Sequence, residues 1–185
     1  MSDHTDAQIA THRIYTGKVI SLDVDQVRYP DGSTGEAEVV RHPGAAAIVP
    51  FLTDPAGEDP QILLLRQYRY ATGGYLYEIP AGRLNDGEAP AECARRELRE
   101  ETGCTASGIT HLYTTFTTPG FTNEEIHTYM ATGLTRGESA TEADEFLEVL
   151  TVTVSQALRM IQQGEIRDAK TALAILYTAG FAIGQ

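Results

Sequence analysis

Three glutamate residues, Glu97, Glu100 and Glu101, are spaced so that they would share one face of a helix. Residues at i, i+3 and i+4 are neighbours on a helix surface, so three carboxylates there repel one another. A bound divalent cation would remove that repulsion, and oxygen ligands on a rigid helix suit Mg²⁺ or Mn²⁺. The spacing therefore predicts a metal-binding helix, the alternative being an acidic face that is merely solvated.

The residues around these glutamates predict one helix with a defined start and end. Pro90 suits a first helical turn, because its missing N–H would be unpaired there in any case. Gly103 suits the left-handed residue that commonly closes a helix. Ala91, Ala94 and Leu98 form an apolar stripe, which we expect to press the helix onto a sheet.

The whole segment from Gly82 to Cys104 decides between the two interpretations of the acidic face. It reads glycine, five residues, glutamate, seven residues, Arg-Glu-Leu, one residue, Glu-Glu, one residue, Gly-Cys. This arrangement resembles the Nudix box at every fixed position. The resemblance implies a metal-dependent hydrolase of nucleoside diphosphate derivatives.

The resemblance also implies roles for individual residues. Glu97 and Glu101 match the principal metal ligands of the family, and Glu100 matches a third that bridges ions or contacts metal-bound water. The carbonyl before the box glycine, here that of Ala81, is a further ligand. Arg96 matches the arginine that orients the acidic cluster. Glu88 has two open roles, holding the loop or touching a second ion.

Four segments outside the box resemble the ADP-ribose pyrophosphatase branch of the family. They are RQYRY (66–70), YEIPAG (77–82), TPGFTNE (118–124) and GEIRDAKT (164–171). A proline some fifteen residues past the box, here Pro119, is characteristic of that branch. We expect substrate contacts from residues in or beside these segments, Arg69 to a phosphate or ribose and Phe121 to a base. The full set of candidates for substrate binding is Arg41, Arg69, Glu78, Pro119 and Phe121. For Glu78, a position beside the metal is the alternative role.

An acidic loop from Arg136 to Glu145 lies where related enzymes place a catalytic glutamate. Glu142 is the first candidate for the general base and Glu145 the second. A carboxylate of the helix, such as Glu100, is the alternative base. The candidate catalytic residues are therefore Glu142, Glu145, Glu100 and Arg96.

The reaction that the resemblance implies is hydrolysis of ADP-ribose to AMP and ribose 5-phosphate. Metal ions would neutralise the diphosphate and acidify a bound water, and a carboxylate would accept its proton. One alternative is another nucleoside diphosphate sugar such as GDP-mannose. A second, of a different class, is a non-catalytic ADP-ribose sensor.

Composition limits the partners and the compartment. The 185 residues are 42% hydrophobic and carry a formal net charge of −12, which argues against non-specific binding to nucleic acid or membranes. The two cysteines, Cys93 and Cys104, lie too far apart along a helix for a disulfide, so we expect reduced thiols. The first residues have no apolar signal-peptide core, and the longest apolar run is too short for a membrane span. We therefore expect a cytoplasmic protein.

The order of predicted elements indicates an α/β fold, an α/β/α sandwich with a mixed sheet and a small N-terminal antiparallel sheet. After a loose start at residues 1–12, strands are predicted within 15–29 and 38–41, then at 45–52, 61–70, 75–80, 109–116, 126–131 and 146–154. Ser155 and Asp168 are candidate N-caps of two final helices. The predicted division is a dimerisation region at residues 1–42 and a Nudix hydrolase domain at 43–185, with a homodimer covering the small sheet.

Overall fold

The computed structural model describes residues 7–137 and 147–183, which form ten strands and three α-helices. Two compact units result, Met1–Gly44 with Phe116–Glu125, and Ala45–Thr115 with Ile126–Gln185. The strands are β1 (Gln8–Thr16), β2 (Ser21–Arg28), β3 (Thr34–Arg41), β4 (Ala45–Pro50), β5 (Gln61–Arg69), β6 (Gly74–Glu78), β7 (Ala81–Arg83), β8 (Cys104–Phe116), β9 (Glu125–Arg136) and β10 (Leu147–Thr153). The helices are α1 (Pro90–Thr102), α2 (Val154–Gln162) and α3 (Ala169–Tyr177), followed by a π-helical turn at Thr178–Ala182.

The first unit contains an antiparallel sheet in the order β1-β2-β3. The loose start predicted through residue 12 is wrong, because β1 begins at Gln8. All nine residues of β1 are exposed, so its sequence lacks the alternation of apolar and polar residues that marks a half-buried strand. Its pairing with β2 makes it a strand.

The second unit contains two further sheets. β4 lies at the centre of a mixed sheet in the order β7-β4-β9-β8, antiparallel to β7 and parallel to β9. β5 lies between β10 and β6 in an antiparallel sheet. β8 and β9 are both longer than predicted, because their pairing continues into polar sequence. The predicted mixed sheet is confirmed.

Alternate side chains of β4 enter two different apolar cores. Ala45, Ala47 and Val49 belong to the core that contains residues of α2 and α3. Ala46 and Ile48 belong to the core that contains the inner face of α1. β4 is therefore covered on both faces, as in a sheet that packs between two layers of helices. This arrangement confirms the predicted α/β/α sandwich.

The ends of the helices follow local rules, with one correction. α1 begins at Pro90 and is closed by Gly103, whose φ of 70° is left-handed, as predicted. Asp168 caps α3 as predicted, its side chain accepting a hydrogen bond from Thr171 N. Ser155 does not cap α2. Thr153 does so, by accepting a hydrogen bond from Gln156 N, and Ser155 binds Asp59 from inside the first turn.

Across residues 7–137 and 147–183, no helix combines the length and the apolar character needed to cross a membrane.

Candidate active site

The acidic face of α1 lies against the short strand β7. Glu97 and Glu101 are only 8% and 2% exposed. The Oε2 atom of Glu101 accepts a hydrogen bond of 3.0 Å from Ala81 N. A Cβ atom added to Gly82 would meet Oε1 of Glu97 at 1.8 Å, so the close approach of strand and helix requires glycine. These contacts bring the Ala81 peptide and two of the three candidate glutamate ligands together.

Arg96 connects the loop before α1 with the acidic face. Its Nε and Nη2 atoms donate to the two carboxylate oxygens of Glu88 at 2.8 and 2.9 Å. Its Nη1 atom donates to Glu97 Oε1 at 2.5 Å and to Glu100 Oε2 at 3.1 Å. The hydrogen bonds from Arg96 lower the pKa of Glu88 to about 2. Of the two roles open to Glu88, its contacts correspond to holding the loop.

Cys93 lies against the strand β7. Its thiol is within hydrogen-bonding distance of the carbonyl oxygens of Gly82 and Arg83, at 3.5 and 3.4 Å. Burial raises the pKa of this thiol to about 12, so it packs as a neutral group. Cys93 and Cys104 are both free and buried.

The donors at this site fit a hard divalent cation. Three carboxylates and a peptide carbonyl provide oxygen ligands only, and the missing Cβ of Gly82 lets the backbone approach them. Within the described ranges, however, no three His, Cys, Asp or Glu side chains converge closely enough to hold an ion. The Nη1 atom of Arg96 contacts both Glu97 and Glu100. A cation would compete with Arg96 for these carboxylates.

A second group of charged residues surrounds Glu78, at the end of β6. Arg69 donates to both carboxylate oxygens of Glu78, from Nε and Nη2, at 2.9 Å each. Lys170 Nζ donates to Glu78 Oε2 at 2.5 Å and to Asp168 Oδ2 at 2.9 Å. The hydrogen bonds with Glu78 raise the pKa of Arg69, and the negative charges of Glu101 and Asp168 add to this effect. The two charged groups are therefore close enough to interact electrostatically.

Sequence reasoning did not select Lys170. It belongs to the segment GEIRDAKT, which contributed to the family resemblance, but no local pattern links it to Glu78. The two residues are 92 positions apart in the chain. Only the packing of α3 against the end of β6 brings them together.

The remaining candidates for substrate binding lie in the first unit. Arg41 forms ion pairs with Asp23 and Asp25, the first at 3.0 Å. Phe121 has an exposed ring, and its carbonyl oxygen accepts a hydrogen bond from Val40 N. Pro119 lies in the same loop. Glu142 and Glu145 lie outside the described residues.

The fold and the site define a class of protein, an α/β/α sandwich in which a strand–loop–helix segment presents clustered carboxylates beside a glycine. Comparison with protein families gives the same result. The NUDIX domain model matches residues 42–173. The chain belongs to the Nudix family.

Several other proteins are similar to this chain in sequence or in structure. The ADP-ribose pyrophosphatase of Bacillus subtilis is 41% identical over 179 residues, covering 96% of this chain and 94% of the relative. The methanol dehydrogenase activator of Bacillus methanolicus is 40% identical, covering 91% and 90%. A GDP-mannose pyrophosphatase of Cronobacter sakazakii is 35% identical, covering 76% and 79%. A solved structure described as an ADP compounds hydrolase superposes with a TM-score of 0.78 at 19% identity, over 93% of this chain and 91% of that one, and shares the fold.

Proposed function

We propose that this protein is a Nudix pyrophosphohydrolase that uses Mg²⁺ to hydrolyse ADP-ribose to AMP and ribose 5-phosphate. The observation that carries the proposal is the closeness of the Glu97 and Glu101 carboxylates to the Ala81–Gly82 backbone, because these carboxylates are the proposed ligands of the metal. Two relatives that match nearly the whole chain, those of Bacillus subtilis and Mycobacterium tuberculosis, are named ADP-ribose pyrophosphatases, which supports ADP-ribose as the substrate.

The residues that would hold the metal are Glu97, Glu100, Glu101 and the carbonyl of Ala81. Mg²⁺, or Mn²⁺ in its place, supplies neutralisation of the diphosphate charge and a more acidic bound water. Arg96 orients the carboxylates of Glu97 and Glu100, and its charge offsets their mutual repulsion when the metal is absent.

A carboxylate accepts the proton of the attacking water as general base. Glu142 is the first candidate, Glu145 the second, and Glu100 the alternative on the helix. Little covalent chemistry is required of the protein, because positioning and charge neutralisation account for most of the catalysis of phosphoryl transfer.

The proposed substrate contacts are Arg69, Glu78, Arg41, Pro119 and Phe121. Arg69 is the best supported of these, since two hydrogen bonds to Glu78 hold its guanidinium while the side chain stays 41% exposed. A guanidinium fixed on one side can donate to a phosphate or ribose oxygen on the other.

The test is a panel assay coupled to alkaline phosphatase, which releases phosphate from AMP and ribose 5-phosphate but not from the intact diphosphate. The panel contains ADP-ribose, GDP-mannose, NADH and diadenosine compounds. Preferential hydrolysis of ADP-ribose is the expected result. EDTA is expected to abolish it when AMP is measured directly by chromatography, without the coupling enzyme. A preference for GDP-mannose would keep the chemistry and change the substrate, an outcome that the GDP-mannose pyrophosphatase relatives make worth testing. Binding of ADP-ribose without any turnover would indicate a sensor.

We also propose a homodimer in which residues 1–42 are the dimerisation region and residues 43–185 the hydrolase domain. β1 is an edge strand, and Ile9, Ile14 and Tyr15 on it are exposed, so a second copy would cover apolar surface and unpaired backbone. A monomeric mass in light scattering at micromolar concentration would contradict this. The two free cysteines support a cytoplasmic location.

A further inference from the structure

The carboxylate of Glu78 is buried and interacts with two cations. Its side chain is 2% exposed, and it accepts two hydrogen bonds from Arg69 and one from Lys170. A buried carboxylate is costly unless it is paired and hydrogen-bonded. Because Arg69 binds both oxygens in one plane, any rotation of the Glu78 carboxylate would rotate the guanidinium as well.

Lys170 is itself held at a defined position. Its side chain is 16% exposed and contacts Asp168 as well as Glu78. Asp168 is the N-cap of α3 and also accepts hydrogen bonds from the backbone N and the hydroxyl of Thr171, at 3.0 and 2.6 Å. The Thr171 hydroxyl in turn accepts a hydrogen bond of 2.9 Å from Ile79 N, next to Glu78. The start of α3 is thus fixed to the end of β6 at two points.

The formal charges of this group cancel. Arg69 and Lys170 contribute two positive charges, and Glu78 and Asp168 contribute two negative charges. Because the group is neutral overall, it does not attract an anionic substrate through a net positive charge. What it provides is orientation, since Arg69 is fixed through its Nε and Nη2 atoms. Nη1 has no hydrogen-bond partner within residues 7–137 and 147–183.

We propose that Lys170 is a positioning residue that holds Glu78 so that Arg69 directs its outer edge at an anionic oxygen of the substrate. The identity of that substrate rests on the proposed function, whereas the orientation of Arg69 by Lys170 does not. Lys170 does not touch the substrate; it acts through Glu78.

Steady-state kinetics of Lys170→Met test the proposal. The Michaelis constant for ADP-ribose is expected to rise about tenfold, which corresponds to the loss of roughly one charged hydrogen bond. The kcat and the Mg²⁺ concentration for half-maximal activity are expected to stay within about twofold of the wild-type values. Arg167→Met removes a neighbouring exposed cation and is expected to leave all three values unchanged. An unchanged Michaelis constant for Lys170→Met, or an altered Mg²⁺ requirement, would overturn the proposal.

A double variant separates orientation from charge. Lys170→Met with Asp168→Asn restores neutrality without restoring the hydrogen bond to Glu78, and asparagine is as good an N-cap as aspartate. The raised Michaelis constant is expected to persist in the double variant. Recovery to the wild-type value would mean that Lys170 acts only through its charge, which would overturn the proposal.

A measurement without substrate keeps the proposal independent of the proposed function. The Nε–H of Arg69 donates to Glu78, so its proton NMR signal, assigned with Arg69→Lys, is expected to exchange slowly with water. In Lys170→Met the exchange is expected to become at least about tenfold faster. Equal exchange in the two proteins would refute positioning even if ADP-ribose proves to be the substrate. Faster exchange would support it even if another diphosphate is hydrolysed.

Discussion

Gly82 lies so close to Glu97 that a Cβ atom on the glycine would stand 1.8 Å from the carboxylate oxygen Oε1 and 2.1 Å from Cδ. The obstacle is the end of a flexible side chain, so the protein can accommodate a methyl group only by moving Glu97. Glycine is therefore required at this position because it lets Glu97, a proposed metal ligand, keep its place.

Gly82→Ala is expected to weaken metal binding far more than folding. Displacement of the Glu97 carboxylate should raise the dissociation constant for Mn²⁺ at least about tenfold, while overpacking costs about 1–3 kcal/mol in the free energy of unfolding. Mn²⁺ binding by electron paramagnetic resonance and denaturant unfolding measure the two effects. Gly180→Ala, at a position with no atom within 4 Å of the added Cβ, is the control. Wild-type Mn²⁺ affinity in Gly82→Ala would contradict the assignment of Glu97 as a ligand.

Glu101→Gln is expected to lower kcat by about two to three orders of magnitude, because a lost anionic ligand removes several kcal/mol of metal-dependent stabilisation. The fold should be retained, since a glutamine oxygen can still accept the hydrogen bond from Ala81 N. The measurements are kcat at saturating Mg²⁺ and thermal unfolding. Glu92→Gln, on the exposed side of the same helix, should keep wild-type activity. A fully active Glu101→Gln enzyme would refute the ligand role.

The free energy of unfolding is expected to fall at acidic pH as the Glu78 carboxylate becomes protonated. Burial raises the pKa of Glu78, but hydrogen bonds from Arg69 and the charge of Lys170 outweigh it and bring the pKa to about 2. Since an unfolded glutamate titrates near about 4.3, the ion pairs stabilise the folded state above that pH, and this stabilisation is lost as the pH falls towards 2.

Urea unfolding at several pH values tests this expectation. The free energy of unfolding of wild type should exceed that of Glu78→Gln by a constant amount above about pH 5, and the difference should shrink between about pH 4.3 and 2. A difference that stays constant down to pH 2 would show that Glu78 is not held ionised in the folded state.

Thr171 is expected to stabilise the turn before Ala81 through its hydroxyl group. Thr171→Val keeps the shape but leaves the backbone N–H of Ile79 without its partner, at a cost of about 1–3 kcal/mol. Thr171→Ser keeps the hydroxyl and loses one methyl group, which should cost less, about 1 kcal/mol. Denaturant unfolding of both variants gives the comparison. If valine were tolerated better than serine, packing of the methyl group would matter more than the hydrogen bond.

Local rules account for what could be predicted from sequence in this fold. The start of α1 at Pro90 and its end at Gly103 follow from the backbone preferences of those residues. The apolar run after Gly44 forms the buried strand β4, because a strand covered on both faces needs apolar residues on both. β1 is not predictable in this way, because it is exposed along its whole length and lacks an apolar face.

The sequence by itself determined the chemistry of the acidic helix, since the spacing of Glu97, Glu100 and Glu101 and their relation to Gly82 are properties of a short segment. The tertiary structure alone decided which distant charged residues come into contact. Lys170 reaches Glu78 across 92 positions because α3 packs on the end of β6, and no periodic pattern encodes such a contact. Residues near in sequence are constrained by local backbone geometry, whereas partners of a buried charge are selected by the packing of whole elements.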